Sequence, residues 1–163
     1  MPQSSTTPRE HVASDTCPTC GAKTTKPRSE ADHRRFFALI RAAFDQWPEG
    51  HDFQPDSAEH LRAWLLCKAG YRNCTTIPIE DDAPPAVGKL AILAIEAAIK
   101  AARTHAFPRL HGHGIAVFSA KSIAWNTLSQ KDFGPLRQAV EDVISAEIGV
   151  DAETLLKQTE HVA

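Results

Sequence analysis

The segment 29–47 most constrains the fold, because its apolar residues recur with the period of an α-helix. Ser29 is a suitable N-cap, since its hydroxyl can accept a hydrogen bond from a backbone N–H of the first turn. The apolar positions form one stripe, which predicts a helix that is buried along one side. They are Phe36, Phe37, Ile40, Ala43, Phe44 and Trp47.

The opposite face of this helix carries Arg34, Arg35 and Arg41. One interpretation is a solvated back of a core helix, and the other is a cationic row that meets phosphate. The formal net charge of −2 gives no overall signature of nucleic-acid binding, so such binding requires local clustering. Residues 23–41 carry six basic side chains against two acids, whereas residues 45–59 carry five acids and no Lys or Arg. The six basic residues are Lys23, Lys26, Arg28, Arg34, Arg35 and Arg41.

The composition divides the chain into a tail and a single domain. Residues 1–28 are rich in Ser, Thr, Pro and Lys, so they cannot bury enough apolar surface to offset the entropy of ordering. We therefore expect a flexible tail over 1–28 and one domain over 29–163, for which a hydrophobic content of 42% is sufficient. No apolar run is long enough for a transmembrane helix, and the N-terminus lacks the apolar core of a signal peptide. The expected location is the cytoplasm.

The four cysteines are expected to be thiols or metal ligands, because disulfides are rare in the cytoplasm. The run Cys17-Pro-Thr-Cys20-Gly has the shape of a zinc knuckle, in which a tight turn directs two thiolates at one point. Structural zinc requires four ligands. The candidates for the others are Cys67 and Cys74, or histidines such as His11, His33, His111 and His113. Free thiols and a redox pair are the other interpretations, although no strand precedes the motif as in a thioredoxin-like protein.

The rest of the chain predicts an α+β fold that is mainly helical with a small β-sheet. Further helices are predicted over 57–69, 87–104, 129–149 and 150–159, and extended segments over 71–79, 115–119 and 121–125. Phe107 and Pro108 are expected to end the helix over 87–104. That helix has an apolar side with many small residues, which would pack on the chain's own core or against a partner helix or dimer seam.

Catalytic and phosphate-cradling motifs are absent from the sequence. It contains no Gly-x-x-x-x-Gly-Lys, no Gly-x-Gly-x-x-Gly, no Gly-x-Ser-x-Gly and no His-Glu-x-x-His. We therefore expect a binding protein rather than an enzyme. A metal-dependent nuclease that uses His111 and His113 is a further hypothesis.

Short motifs between residues 28 and 158 also follow one another in a characteristic order. They are Arg28-Ser29, Asp32-His33-Arg34-Arg35-Phe36-Phe37-Ala38-Leu39, Ala43-Phe44-Asp45, Ser57-Ala58-Glu59-His60-Leu61-Arg62, Ala69-Gly70, Gly114-Ile115-Ala116-Val117, Ala120-Lys121-Ser122-Ile123, Asp132-Phe133 and Gly149-Val150. Together they resemble a phage and prophage family of NinB-like (Orf-like) recombination mediators and related uncharacterised prophage proteins. Two departures stand out: this chain has the Cys-x-x-Cys tail in place of the family's N-terminal strand–helix–strand portion, and the helix over 87–104 is enlarged.

The resemblance implies a dimeric α+β protein that binds single-stranded or branched DNA and helps to load a recombinase in place of single-strand-binding protein. On this hypothesis the six basic residues named above and Lys121 neutralise phosphates, while Trp125 stacks on a base. The alternative is a protein-interaction module aimed at a host protein, with the acidic stretches 45–59 and 141–160 as its binding surface.

Overall fold

A computed structural model describes residues 29–80, 82–124 and 128–160. Within them the order is α1 (Glu30–Asp45), α2 (Ala58–Lys68), β1 (Arg72–Pro78), α3 (Pro85–Ala101), β2 (Ala106–His111), β3 (Gly114–Ala120), α4 (Gln130–Ile148) and α5 (Ala152–Glu160). The mainly helical α+β fold with a small sheet is therefore confirmed. No helix in the described part of the chain has both the length and the apolar character needed to cross a membrane.

Helix α1 forms the centre of the core, as its periodicity predicts. The Ser29 hydroxyl accepts a hydrogen bond from the Asp32 backbone N–H at 3.3 Å, which caps the first turn. Phe36, Ile40 and Trp47 are buried along the predicted stripe. Phe37 was wrongly included in that stripe, because its side chain is 39% exposed beside His33.

Helices α2, α4 and α5 close the core around α1. Their buried apolar residues include Leu61, Leu65, Phe133, Leu136, Val140, Ile144 and Leu155. A polar network also fastens the start of α1 to α4, since the Asp32 carboxylate accepts hydrogen bonds from Gln130 at 2.7 Å and Arg137 at 2.8 Å. These contacts join residues about a hundred positions apart and hold the two helix N-termini together.

The sheet is antiparallel with strand order β1-β3-β2, and it corrects two predictions. An extended segment was expected over 121–125, but the strand that forms a hairpin with β3 is β2, which precedes it. Pro108 was interpreted as a helix breaker, whereas it lies inside β2. Because β2 is an edge strand, a proline without an N–H donor is tolerated there. Residues 121–124 follow β3 without regular structure.

Helix α3 stands outside this core. None of its residues belongs to the core cluster of buried residues, and Gly88 is its one buried residue. A Cβ placed on Gly88 would lie 2.9 Å from a Leu110 methyl group, so the glycine allows α3 to lie close against β2. The expectation that the apolar side of this helix packs on the chain's own core is therefore wrong, since Leu90 and Leu93 point into solvent.

Candidate functional site

A groove of about 990 Å³ opens between α2, the end of α3 and the strand β2. The loop that joins α1 to α2 forms one wall, the last turns of α3 form the other, and residues 105–109 form the end between them. A smaller cavity of about 60 Å³ adjoins it, because the two share lining residues Trp64, Lys68, Phe107 and Arg109. Together the two cavities form one groove, which includes the lining residues of both.

Aromatic side chains line the inner wall of the groove. Phe53 and Trp64 stack nearly parallel with ring centroids 4.9 Å apart, and Phe107 meets Phe53 edge-on at 5.8 Å. Trp64 is buried in the core, whereas Phe53 and Phe107 are half-buried. The core therefore supports rings whose outer surfaces border the groove.

His51 is held in place by hydrogen bonds from both ring nitrogens. Its Nδ1 accepts from the Phe53 backbone N–H at 2.9 Å, because that N–H can only donate. The ring proton is then on Nε2, which donates to Glu147 at 2.9 Å. That hydrogen bond, with Lys68 nearby, lowers the pKa of Glu147. His51 therefore positions the wall of the groove rather than acting as an available base.

His60 lies at the middle of a set of packed rings. Its ring is nearly parallel to His105 at 5.0 Å and to Phe107 at 5.7 Å, and its Nδ1 accepts from the Asp56 backbone N–H at 3.2 Å. Burial lowers the pKa of His60, the nearby His105 lowers it further, and Asp56 opposes both. His60 is therefore a neutral, flat stacking surface at pH 7.

Both cationic and acidic side chains line the groove around these rings, and the acids are Asp52, Asp56, Glu96 and Glu147. The cations that line it are Lys68, Arg72, Lys100, Arg103 and Arg109. The Arg72 guanidinium lies 4.4 Å from the centre of the Phe118 ring, and Lys68 Nζ lies 5.0 Å from that of Trp64. Lys68 also approaches Glu147 at 3.5 Å, whereas Arg72 and Arg109 make no ion pair with any carboxylate that the structure describes.

Arg103 occupies a left-handed backbone conformation, with φ of 51°, directly after α3. The N–H groups of Arg103 and Thr104 bond to the carbonyls of Lys100 and Ile99, as in a helix C-terminal cap where glycine is usual. An arginine in this conformation lowers the free energy of unfolding by on the order of 1 kcal/mol relative to a residue without strain. Its position makes Arg103 a lining residue of the groove.

The predicted cationic row on α1 is exposed but partly balanced by acids. Arg34 forms an ion pair with Glu30 at 2.9 Å, and Arg35 is close enough to lower the pKa of Glu153, whose main partner is Lys157. Arg41 is exposed and makes no ion pair with a described carboxylate. None of the three lines the groove.

The remaining predicted nucleic-acid contacts are not brought together with this row in one cavity. Lys121 is exposed on the segment after β3, where its backbone N–H donates to the Tyr71 carbonyl at 3.0 Å. The other predicted contacts lie outside the described residues; they are Lys23, Lys26, Arg28 and Trp125. The groove was missed because its cations come from α2, β1, β2 and α3, so no local run of charge marks it in the sequence.

The predicted zinc ligands fall into two groups. Cys17 and Cys20 lie outside the described residues. Cys67 is buried in α2, where desolvation raises the pKa of its thiol to about 11, and Cys74 is exposed on β1. Within residues 29–80, 82–124 and 128–160, no three side chains of ligand type are grouped as a metal site would require, so zinc stays a prediction.

His111 and His113, the residues of the nuclease hypothesis, flank Gly112 in the β2–β3 hairpin. Both are exposed there and neither lines the groove.

No family model, curated protein or solved structure matches this chain.

Proposed function

We propose that the chain is a DNA-binding accessory protein of phage-type recombination, without enzymatic activity, and that it takes single-stranded or branched DNA in the groove. The observation that carries the proposal is the combination of exposed cations with stacked rings in one concave surface. The role in recombination, with a recombinase or single-strand-binding protein as partner in the cytoplasm, rests on the motifs that resemble the NinB-like family.

The groove favours a single strand over a duplex for a physical reason. Unpaired bases expose their faces, and the half-buried rings of His105 and Phe107, which both pack against His60, line the groove wall. Base–aromatic stacking contributes about 1–3 kcal/mol per base and does not depend on sequence. Arg72 and Arg109 border the adjoining smaller cavity with Phe107, where they would neutralise phosphates without first losing a carboxylate partner.

The cationic row on α1 is assigned a secondary part in binding. Arg34, Arg35 and Arg41 lie on an exposed face of α1 that also carries the half-exposed ring of Phe37, but none of these residues lines the groove. The ion pair of Arg34 with Glu30 is largely exposed, so it contributes little and can be exchanged for phosphate. The row would extend a bound strand rather than define its site.

Fluorescence anisotropy with a labelled poly-dT oligonucleotide tests the proposal. Two phosphate contacts on a single strand, from Arg72 and Arg109, predict a loss of roughly sevenfold in affinity between about 50 and 200 mM salt. The variant Arg72→Ala plus Arg109→Ala should weaken binding at least about tenfold. The matched control, Arg34→Ala plus Arg35→Ala, removes the same charge from α1 and should have a smaller effect.

Three results would contradict the proposal, the last of them only in its choice of the groove. Affinity that does not change with salt would exclude phosphate contacts as its source. Absence of binding at any salt would favour the protein-interaction module, whose acidic stretch 45–59 lies partly along the same groove. A larger loss in the α1 variant than in the groove variant would keep DNA binding but move it to α1.

A further inference from the structure

The smaller cavity differs from the larger one, the cavity of about 990 Å³, in the charge of its lining. Three of its lining side chains are cationic, Lys68, Arg72 and Arg109, and the others are three aromatic rings and the thiol of Cys67. No carboxylate of the described residues lines it. The larger cavity is balanced, with four Lys or Arg side chains and four carboxylates. The part of the groove suited to a strongly anionic group is therefore the smaller cavity.

The sheet register brings two of these cations to one face. Phe118 of the central strand lies opposite Phe107 of β2, and residues directly opposite each other point to the same face of a sheet. Arg109 follows Phe107 by two positions, and Arg72 pairs two positions along β3 from Phe118, so both belong to that face. Helix α2 ends at Lys68 beside the same face. The three cations therefore converge from separate elements.

Aromatic rings hold two of the cations in place. The Arg72 guanidinium lies 4.4 Å from the centre of the Phe118 ring, and Lys68 Nζ lies 5.0 Å from that of Trp64. Arg72 also donates to the Cys67 carbonyl at 3.4 Å, which uses one of the five N–H groups of its guanidinium. Apolar rings beside these charges lower the local dielectric constant, which strengthens their attraction for an anion. An anion therefore meets cations that are already positioned.

The net charge of the smaller cavity matches a dianion. The Cys67 thiol adds no negative charge at pH 7, because burial raises its pKa to about 11. Glu147 approaches Lys68 at 3.5 Å, and when it is counted against that lysine about two positive charges remain. An internal phosphodiester of a DNA strand carries one negative charge, whereas a terminal phosphate carries about 1.5–2 at pH 7. The surplus of positive charge therefore suits the terminal phosphate better.

The size of the smaller cavity restricts its ligand further. Its volume is about 60 Å³, whereas pockets for whole small molecules begin at about 300 Å³. It therefore has room for one phosphate group but not for a nucleoside. An internal phosphate is joined to a nucleoside on both sides, and a terminal phosphate to a nucleoside on one side only. The larger cavity, which shares Phe107 and Arg109 with the smaller one, provides space for that single nucleoside.

We propose that the smaller cavity binds the terminal phosphate of a DNA strand, so that the groove recognises phosphorylated strand ends in preference to strand interiors. The strand attached to that phosphate lies in the larger cavity, so the assignment rests on the proposed function. The first base then lies near Phe107, which lines both cavities. Stacking of this base and binding of the phosphate are separate interactions, so the end phosphate adds to the affinity that any single strand has.

Fluorescence anisotropy with short oligonucleotides of one sequence tests this end preference. Each has about six thymidines, within the site sizes of about 4–16 nucleotides for single-strand grooves, and carries an internal dye. They differ only in having a 5′-phosphate, a 3′-phosphate or hydroxyl groups at both ends. At least one phosphorylated form should bind about tenfold or more tightly than the hydroxyl form, because charge-assisted hydrogen bonds are added. A gain confined to one form identifies the strand end that enters the cavity.

Single variants locate the phosphate within the groove. Arg72→Ala and, separately, Arg109→Ala should each reduce the gain from the end phosphate to less than about threefold. Both side chains are exposed and lie on different strands, so the fold should be retained, as judged by far-UV circular dichroism. Lys100→Ala is the matched control, because it removes one exposed cation from the larger cavity only. It should weaken the binding of all three oligonucleotides and leave the gain unchanged.

The end preference fails under any of three outcomes. Equal affinity for the phosphorylated and hydroxyl forms, with binding that still weakens as salt rises, would remove the terminal-phosphate site and leave the proposed function intact. Loss of the gain in Lys100→Ala, with the gain retained in Arg72→Ala and Arg109→Ala, would move the phosphate to the larger cavity. No binding of any oligonucleotide would refute the proposed function and the end preference together.

Discussion

Helices α1 and α3 have nearly the same length, 16 and 17 residues, but opposite relations to the core. The more polar helix, α1, buries Phe36, Leu39 and Ile40 completely or nearly so. The more apolar helix, α3, buries only Gly88. The comparison shows that total apolar content does not decide burial. What decides it is whether the topology places a complementary apolar surface opposite the stripe.

The difference follows from what each helix meets. Helix α1 lies against α2, α4 and α5, and Phe36 packs edge-on against Phe133 of α4 with centroids 5.5 Å apart. Helix α3 meets the edge strand β2 through its glycine-containing side, which leaves the leucines on its far side uncovered by the part of the chain that the structure describes. The same apolar pattern thus stabilises the fold in one helix and leaves an exposed surface in the other.

Truncating one large residue in each helix gives the largest expected contrast. Phe36→Ala removes a fully buried ring and should lower the free energy of unfolding by about 3–5 kcal/mol. Leu93→Ala should change it by less than about 0.5 kcal/mol at concentrations where the chain is monomeric. Chemical denaturation followed by circular dichroism measures both. Equal losses would show that α3 is part of the folded core.

The two described cysteines test the same difference between a buried and an exposed position. Burial raises the pKa of Cys67 to about 11, so its reactive thiolate is scarce at pH 8, whereas Cys74 is exposed on β1. Iodoacetamide should modify Cys74 at least about 100 times faster than Cys67, as followed by peptide mass spectrometry. Rapid modification of both would indicate that α2 opens readily.

Asp32 and Glu30 allow a partly buried and an exposed ion pair to be compared within α1. Asp32 is partly buried and accepts hydrogen bonds from Gln130 and Arg137, so Asp32→Ala should cost about 1–3 kcal/mol. Glu30 forms an exposed pair with Arg34, so Glu30→Ala should cost about 0.5 kcal/mol or less. Urea denaturation of both variants provides the measurement, and a larger loss at Glu30 would contradict the structure.

The smallest effect is expected at the groove wall and depends on pH. The pKa of His60 is lowered in the folded chain, so the unfolded chain binds more protons near pH 6. Stability should therefore fall as the pH decreases from about 7 to about 5, below the unfolded value of about 6.5. His60→Asn, which keeps an acceptor for the Asp56 N–H, should reduce that fall.

Glu147 contributes to the pH dependence of stability in a lower pH range than His60 does. Its pKa is lowered, mainly by the hydrogen bond from His51, so its contribution to stability is present above the unfolded value of about 4.5. That contribution is lost only at lower pH. An unchanged fall between pH 7 and 5 in the His60 variant would show that another group is responsible.

Much of the fold was predictable because its signals are local. Ser29 caps α1 as predicted, Ser57 and Ser129 cap α2 and α4 at the predicted starts of those helices, and Gly149 ends α4 in a left-handed conformation. The error in the sheet arose because Pro108 acts as a breaker in most contexts but is tolerated in an edge strand. No local pattern could show that β2 would be at the edge. The groove was hidden for the same reason, since its lining residues are distant in sequence.

The sequence by itself determined where helices begin and end, which face of α1 is apolar and which residues carry charge, because these depend on spacing and neighbouring residues. Only the tertiary structure decided that Lys68, Arg72 and Arg109 border one groove, and that the leucines of α3 face solvent. Those outcomes depend on contacts between segments far apart in the chain. Such contacts are set by the packing of whole elements rather than by any short run of residues.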